Sequence, residues 1–369
     1  MKHLIPARIK ALQTELVALG LHAAMMSDRE NLIYFAGVDD LEGGALVIPA
    51  VGEPVLFCLW MDREHMLETS GIEKVIGFVF PQFNQSKMMG KWLEEQGWTA
   101  PRLGFTRYFV SLNDYLFVKQ AAPDMVVESI AMLCYKLRSV KAPEEITRIE
   151  TAAKTLKAGM DAAFAAAAPG IRETDVLAEA DYAMRKAGSQ GSSFRMQVLT
   201  HNRQLLMHPY AGDALLESNA PVVVHLGASY RGYVSKMCRT IFLGSPKEKS
   251  VDIYKTLIRA VDVAIQEIRP GMTSGALYDV VREVIIEAGY EKHWIMDHIG
   301  YGMGIRQSEF IPIIEKGSDT VLEENMIIDL LLPTIYIPGV GGPRVTDTIL
   351  IEKTGGRRLT DYPTDIVLK

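Results

Sequence analysis

The run from His225 to Thr240 holds the side chains of this sequence best suited to chemistry, with His225, Lys236, Cys238 and Arg239 inside one short stretch. A second imidazole, His208, lies upstream in the segment Leu205–Tyr210. An imidazole accepts and returns a proton near neutral pH because its unperturbed pKa is about 6.5. Lys236 offers a compact positive charge suited to a small anion or a carboxylate. On a strand, Lys236 and Cys238 share one face while Arg239 lies on the other. Two roles are open to Cys238. Beside a cation its thiol could ionise and act as nucleophile, with His208 or His225 as base; buried, it would be a small hydrophobe.

The elements that must position these groups are legible in outline. Ile5, Ile9, Leu12, Leu16 and Leu19 recur at helical spacing and end at Gly20, where a left-handed cap fits. Ala45–Ile48 and Val55–Cys58 read as the strands of a hairpin, Val75–Phe80 as a further strand, and Met88–Gly97 as a short helix. Strands alternating with helices imply an α/β domain over residues 1–134. A second domain, 135–369, follows, with Pro143, Glu144 and Glu145 forming a helix start. This domain echoes itself. Pro169 and Gly170 precede a helical stretch closed by Ala187 and Gly188, and Pro270 and Gly271 precede one closed by Ala288 and Gly289. Equal spacing predicts a duplicated unit and a pseudo-two-fold site between the copies.

Composition narrows the class. The 369 residues are 48% apolar and 23% charged, with a net charge of −6. That allows a large core and gives no basic patch for nucleic acid. Three scattered cysteines form no disulfide framework or zinc pattern, which suits a reducing compartment. No signal-peptide h-region and no run of about 18 apolar residues is present, so no membrane span is expected and the expected location is the cytoplasm.

Several motifs in order carry a resemblance. His225–Thr240 resembles the segment D-x-G-x(5–6)-G-Y-x-S-D-x-T-R-T of the prolidase, aminopeptidase P, creatinase and methionine aminopeptidase family. Leu137–Ile146 is similar to the opening of that family's catalytic domain. Tyr336–Gly339 and Gly341–Thr348 are similar to its closing strands, I-Y-I-P-G and G-x-R-x-E-D-T. The resemblance implies an α/β (α+β) protein, in which a creatinase-like N-terminal domain precedes a pita-bread domain with pseudo-two-fold duplication.

Metal-dependent members hold two divalent cations with two Asp, one His and two Glu. Those positions fall here on His225, Lys236, Tyr301, Leu332 and Thr346. None keeps the family's ligand, and an ammonium repels a divalent ion, so no metal and no cofactor are expected. Creatinase-like members hydrolyse a C–N bond without metal through a His, and the matching residue is His208. The resemblance thus implies a site with His208, Lys236, Tyr301 and His225 in catalytic places. Thr346, Arg344, Glu309, Ser308, Cys238 and Glu42 are expected near substrate. Tyr301 could donate to an oxyanion or fill the vacated ligand space, and Lys236 could instead pair with Glu309 or Asp347. The acidic loop Asp39–Gly44 matches a cap that, in creatinase, one subunit lays over its partner's site. A homodimer with that capping is expected.

Two functions stay open. One is a metal-independent hydrolase of a small amide, amidino or betaine-like molecule; the other is a non-catalytic binding protein on the same fold. A Xaa-Pro peptidase name would follow from similarity, without the ligands that activity uses. Of partners, only a small-molecule substrate and a second copy are expected; no nucleic acid or membrane is.

Overall fold

The structure, a computed structural model, describes residues 1–41, 43–106, 112–331 and 335–369. It divides into two compact units, Met1–Arg138 and Ser139–Lys369. The helix Ala131–Ser139 spans the position after residue 134 at which the sequence suggested a boundary.

In the first unit the spacing of apolar residues sets the helix Ile5–Ala18, with Pro6 in its first turn and Gly20 at φ 66° just beyond it. Asp28 caps the helix Arg29–Ala36 by accepting from the Asn31 amide at 3.3 Å. The strands are β1 (Ala23–Met26), β2 (Ala45–Pro49), β3 (Val55–Leu59), β4 (Lys74–Phe78), β5 (Arg102–Phe105) and β6 (Val126–Ser129). They form one six-stranded sheet in the order β4-β3-β2-β1-β5-β6. Strand β2 runs antiparallel to both neighbours, so β2 and β3 make the expected hairpin, while the other pairings are parallel.

The second unit opens with the helix Pro143–Ala166, started by Pro143 and by Glu145, whose Oε2 accepts from the Ala142 amide at 2.8 Å. Its strands are β7 (Gln197–Leu199), β8 (Ala220–Tyr230), β9 (Tyr233–Leu243), β10 (His298–Gly302), β11 (Glu309–Glu315), β12 (Ile327–Leu331), β13 (Thr346–Glu352), β14 (Gly355–Arg358) and β15 (Val367–Leu368). Seven of them follow the order β11-β10-β12-β13-β9-β8-β7, with β14 on β13 and β15 on β9. This curled nine-stranded sheet is the pita-bread arrangement. Strands β8 and β9 turn through Arg231 and Gly232, both at positive φ (44° and 83°), the geometry of a two-residue hairpin.

The internal echo is structural as well. Gly170 and Gly271, at φ 84° and 92°, precede the helices Glu173–Lys186 and Ser274–Glu287. Each is 14 residues long and is followed by a second left-handed glycine, Gly188 or Gly289. Each helix pairs with a longer one, Pro143–Ala166 or Glu248–Glu267, and each pair packs its own apolar cluster onto one half of the sheet. Val224, Leu226, Met237 and Ile241 enter the first cluster, and Ile328 and Leu330 the second. Strand alternation therefore sends Gln197, Val223, His225, Lys236, Cys238 and Asp329 to the opposite, helix-free face.

Candidate active site

Strands β8, β9, β12 and β13 bring His225, Lys236, Asp329 and Thr346 onto that face. His225 lies opposite Cys238 in the β8–β9 ladder, and Cys238 lies opposite Thr346 in the β9–β13 contact. Three of the five positions where relatives would carry metal ligands are thus gathered. Tyr301, the fourth, stands opposite Asp329 in the β10–β12 ladder. Leu332, the fifth, lies outside the described residues, as does Glu42.

Lys236 departs from expectation in its partner. Its ammonium pairs with the Asp329 carboxylate, with side-chain exposures of 6% and 0%, and not with Glu309 or Asp347. The other Asp329 oxygen accepts from the Tyr301 backbone amide at 2.9 Å. Asp347 is engaged elsewhere, by Arg239 at 2.7 Å, Arg358 at 3.0 Å and Thr360 at 2.6 Å. Glu309 accepts from the Arg306 amide at 3.2 Å. The reason is geometric: only β13 separates β12 from β9, so a carboxylate at the centre of β12 reaches the ammonium arriving from β9. The free point charge expected of Lys236 is therefore neutralised within the protein.

His225 is buried and stacks on Phe194 with ring centroids 4.5 Å apart. Its Nε2 has no hydrogen-bond partner among the described residues. Burial pushes its pKa well below the ordinary value, and the positive charges of Lys236 and Arg344 push the same way. At neutral pH this ring is an uncharged group.

His208 sits on an exposed loop, and its ring makes no hydrogen bond or ion pair among the described residues. The loop is moored beside His225 because Gln197, opposite His225 in the β7–β8 ladder, donates to the carbonyls flanking His208, Met207 O at 3.1 Å and Pro209 O at 3.4 Å. Arg344, expected at the substrate, is buried, and its donors go to protein oxygens: Gln204 O, Leu206 O at 3.2 Å and Gln197 Oε1 at 3.4 Å. No carboxylate pairs with it among the described residues, and burial lowers its pKa.

The nucleophile reading of Cys238 does not survive its surroundings. The thiol is wholly buried against Leu199 and Val223, and desolvation pushes its pKa up to about 12. Arg344 and Arg239 pull it down by less. A thiol of that pKa is protonated at physiological pH and packs as a small hydrophobe. Thr346 is buried with its Oγ1 unpartnered, and its carbonyl accepts from Arg239 at 3.0 Å. Tyr301 is half-buried, and its hydroxyl meets His298 Nε2 at 2.6 Å. Burial raises the phenol's pKa and lowers that of His298. Ser308 is half-buried immediately before β11. In the first unit, Asp40 of the acidic loop pairs with His65 at 2.7 Å on the surface.

The residues present do not fit a divalent pair. Among the described residues no group of three or more His, Cys, Asp or Glu side chains could hold a metal ion. The cation's place on β9 carries an ammonium already matched to a carboxylate. Two further side chains, Asp329 and His298, join these residues without being expected from the sequence. Asp329 had a signal, since it is the one acid in the apolar run Met326–Leu332 and a buried acid needs a cation. His298 had none beyond its proximity to Tyr301.

The comparisons agree with this architecture. Residues 8–140 match the family model for the creatinase/prolidase N-terminal domain, and residues 147–353 match that for metallopeptidase family M24. A Xaa-Pro dipeptidase from Pyrococcus furiosus is 33% identical over 89% of this chain and 90% of its own length. The putative dipeptidase YkvY of Bacillus subtilis is 30% identical over 98% and 99%. Among solved structures, the prolidase from Pyrococcus horikoshii superposes with a TM-score of 0.88 at 29% identity, covering 98% of this chain and all of that one. No described helix is long and apolar enough to cross a membrane. The chain belongs to the M24 metallopeptidase family, as a member in which His225, Lys236, Tyr301 and Thr346 stand at four of the ligand positions and form no metal-holding group among the described residues.

Proposed function

We propose that this protein is a metal-independent hydrolase of a small C–N-bonded molecule, an amide or an amidino compound, in which His208 is the general acid and base. One observation carries the reading: an exposed, uncommitted imidazole is moored beside a buried neutral one whose Nε2 has no partner. His208 would take a proton from water as its oxygen bonds the substrate carbon. It would return that proton to the leaving nitrogen as the C–N bond breaks. His225 would hold substrate through its free Nε2, and the Tyr301 hydroxyl is a neutral donor able to turn from His298 to a developing oxyanion. Lys236 enters only through Asp329, as a fixed internal ion pair that fills the place of a metal and offers substrate no free charge. By the same likeness the working unit is a homodimer in which the N-terminal domain caps the partner's site.

The dipeptidase activity in the relatives' names is not carried over, since it would need ligands that His225, Lys236, Tyr301 and Thr346 do not provide. The alternative, a binding protein without catalysis, is favoured by the commitment of two buried cations near the site, Lys236 and Arg344, to protein oxygens. The test is a screen of small amides, amidino compounds and betaines with EDTA present, using wild type and His208→Ala. Turnover that survives EDTA and is lost in His208→Ala is expected. Turnover unchanged in His208→Ala, or binding without turnover across the panel, would overturn the assignment.

A further inference from the structure

The loop Thr200–Gly212 that carries His208 is built inside out. Loops usually leave their carbonyls to water and turn apolar side chains inward. Here the carbonyls are taken by side chains, three from outside the loop and one, Arg203, from within it. Arg344 donates to Gln204 O and Leu206 O, Gln197 to Met207 O and Pro209 O, Arg195 to His208 O at 2.6 Å, and Arg203 to Tyr210 O at 2.7 Å. Leu206 and Tyr210 are meanwhile 49% and 69% exposed, and His208 projects outward with them.

The neck of the loop is closed by one carboxylate. Glu173, wholly buried at the start of its helix, accepts from the Thr200 amide at 2.8 Å and the Gly212 amide at 3.3 Å, and pairs with Arg203 at 3.1 Å. Gln204 anchors the middle, donating to Leu199 O and Pro221 O and accepting from the Gly342 amide at 2.7 Å.

We propose that Gln197 and Arg344 are positioning residues: they hold the loop so that His208 stands at a fixed place beside His225. This rests on the reading of His208 as the proton carrier, but the mooring itself can be tested without substrate. Arg344 keeps a buried guanidinium with no carboxylate partner, a costly arrangement unless the carbonyls it binds must stay in place. Gln197 couples the loop to His225 directly, through backbone pairing on one side and its side-chain amide on the other.

The experiment is limited proteolysis with chymotrypsin, followed by mass spectrometry, on full-length Gln197→Ala, Arg344→Lys, Arg344→Met and Arg195→Ala. In Gln197→Ala and Arg344→Met, cleavage after Leu205, Leu206 or Met207 should speed up about tenfold while β8 and β9 stay uncut. Arg344→Lys, keeping one donor group, should fall between. Arg195→Ala, which removes one exposed donor and its packing on the Tyr210 ring, should speed cleavage by a smaller factor. On a hydrolysed substrate, Gln197→Ala should lower kcat with little change in KM. Unchanged cleavage within 204–210 in Gln197→Ala and Arg195→Ala would overturn the mooring. Faster cleavage there with full activity in His208→Ala would instead uphold it and sink the proton-carrier assignment.

Discussion

Removing the negative partner from the Lys236–Asp329 pair should be among the most damaging single changes available to the second unit. The two side chains are 6% and 0% exposed, so neither can recover its solvation where it stands. Asp329→Asn keeps the shape and an oxygen for the Tyr301 amide but leaves the ammonium buried without a counter-charge. A buried ion pair broken on one side costs about 3–5 kcal/mol. Lys236→Met strands the carboxylate and should cost a similar amount. With both changes no charge remains, and the double variant should sit within about 2 kcal/mol of wild type, since apolar replacement of a buried pair is often neutral. The coupling is then about 4 kcal/mol or more.

Because two compact units need not unfold together, the second must be observed by itself. Trp294 is the only tryptophan in Ser139–Lys369 and packs on Tyr278 with centroids 5.5 Å apart. Urea unfolding followed by fluorine NMR of fluorotryptophan-labelled protein reports on that unit through one signal. A cost for Asp329→Asn below about 1 kcal/mol, or singles that simply add in the double, would refute the internal-pair argument.

Two other predictions follow from the same surroundings. His225 has a pKa depressed by burial, so the unfolded chain takes a proton near pH 6.5 where the fold does not. Stability present above that pH should fall on acidification by up to about 1.4 kcal/mol per pH unit, and His225→Asn should flatten that slope in urea titrations at stepped pH. A slope the same in both proteins would contradict the buried neutral ring. Cys238, with its thiol pushed to about 12, and Cys58, pushed to about 11, should resist a thiol-exchange reagent in the native protein at pH 8 and react fully in denaturant. Rapid native labelling of Cys238 would restore the nucleophile reading.

Much of the scaffold could be read from the chain because it depends on local rules. The helix Ile5–Ala18 follows from apolar spacing and Gly20, and the repeated helices follow from glycines that must adopt positive φ on either side of equal stretches. Ordered motifs placed His225 and Lys236 on the adjacent strands β8 and β9, and Tyr301 on β10 of the same sheet. Which groups pair was not legible, because pairing depends on strand order. Asp329 is 93 residues from Lys236 in sequence and meets it only because the sheet runs β12-β13-β9. Likewise Arg344 looked like a substrate cation by type, but the loop carbonyls that absorb its donors are backbone atoms, which no sequence motif displays.

Whether an ammonium–carboxylate pair stands in place of a divalent cation pair is tested most directly by calorimetric titration of the metal-stripped full-length protein with manganese. The expected result is no saturable heat at millimolar manganese, with unfolding by urea unchanged by either manganese or EDTA. Two equivalents bound with micromolar Kd, and a matching gain in stability, would contradict it.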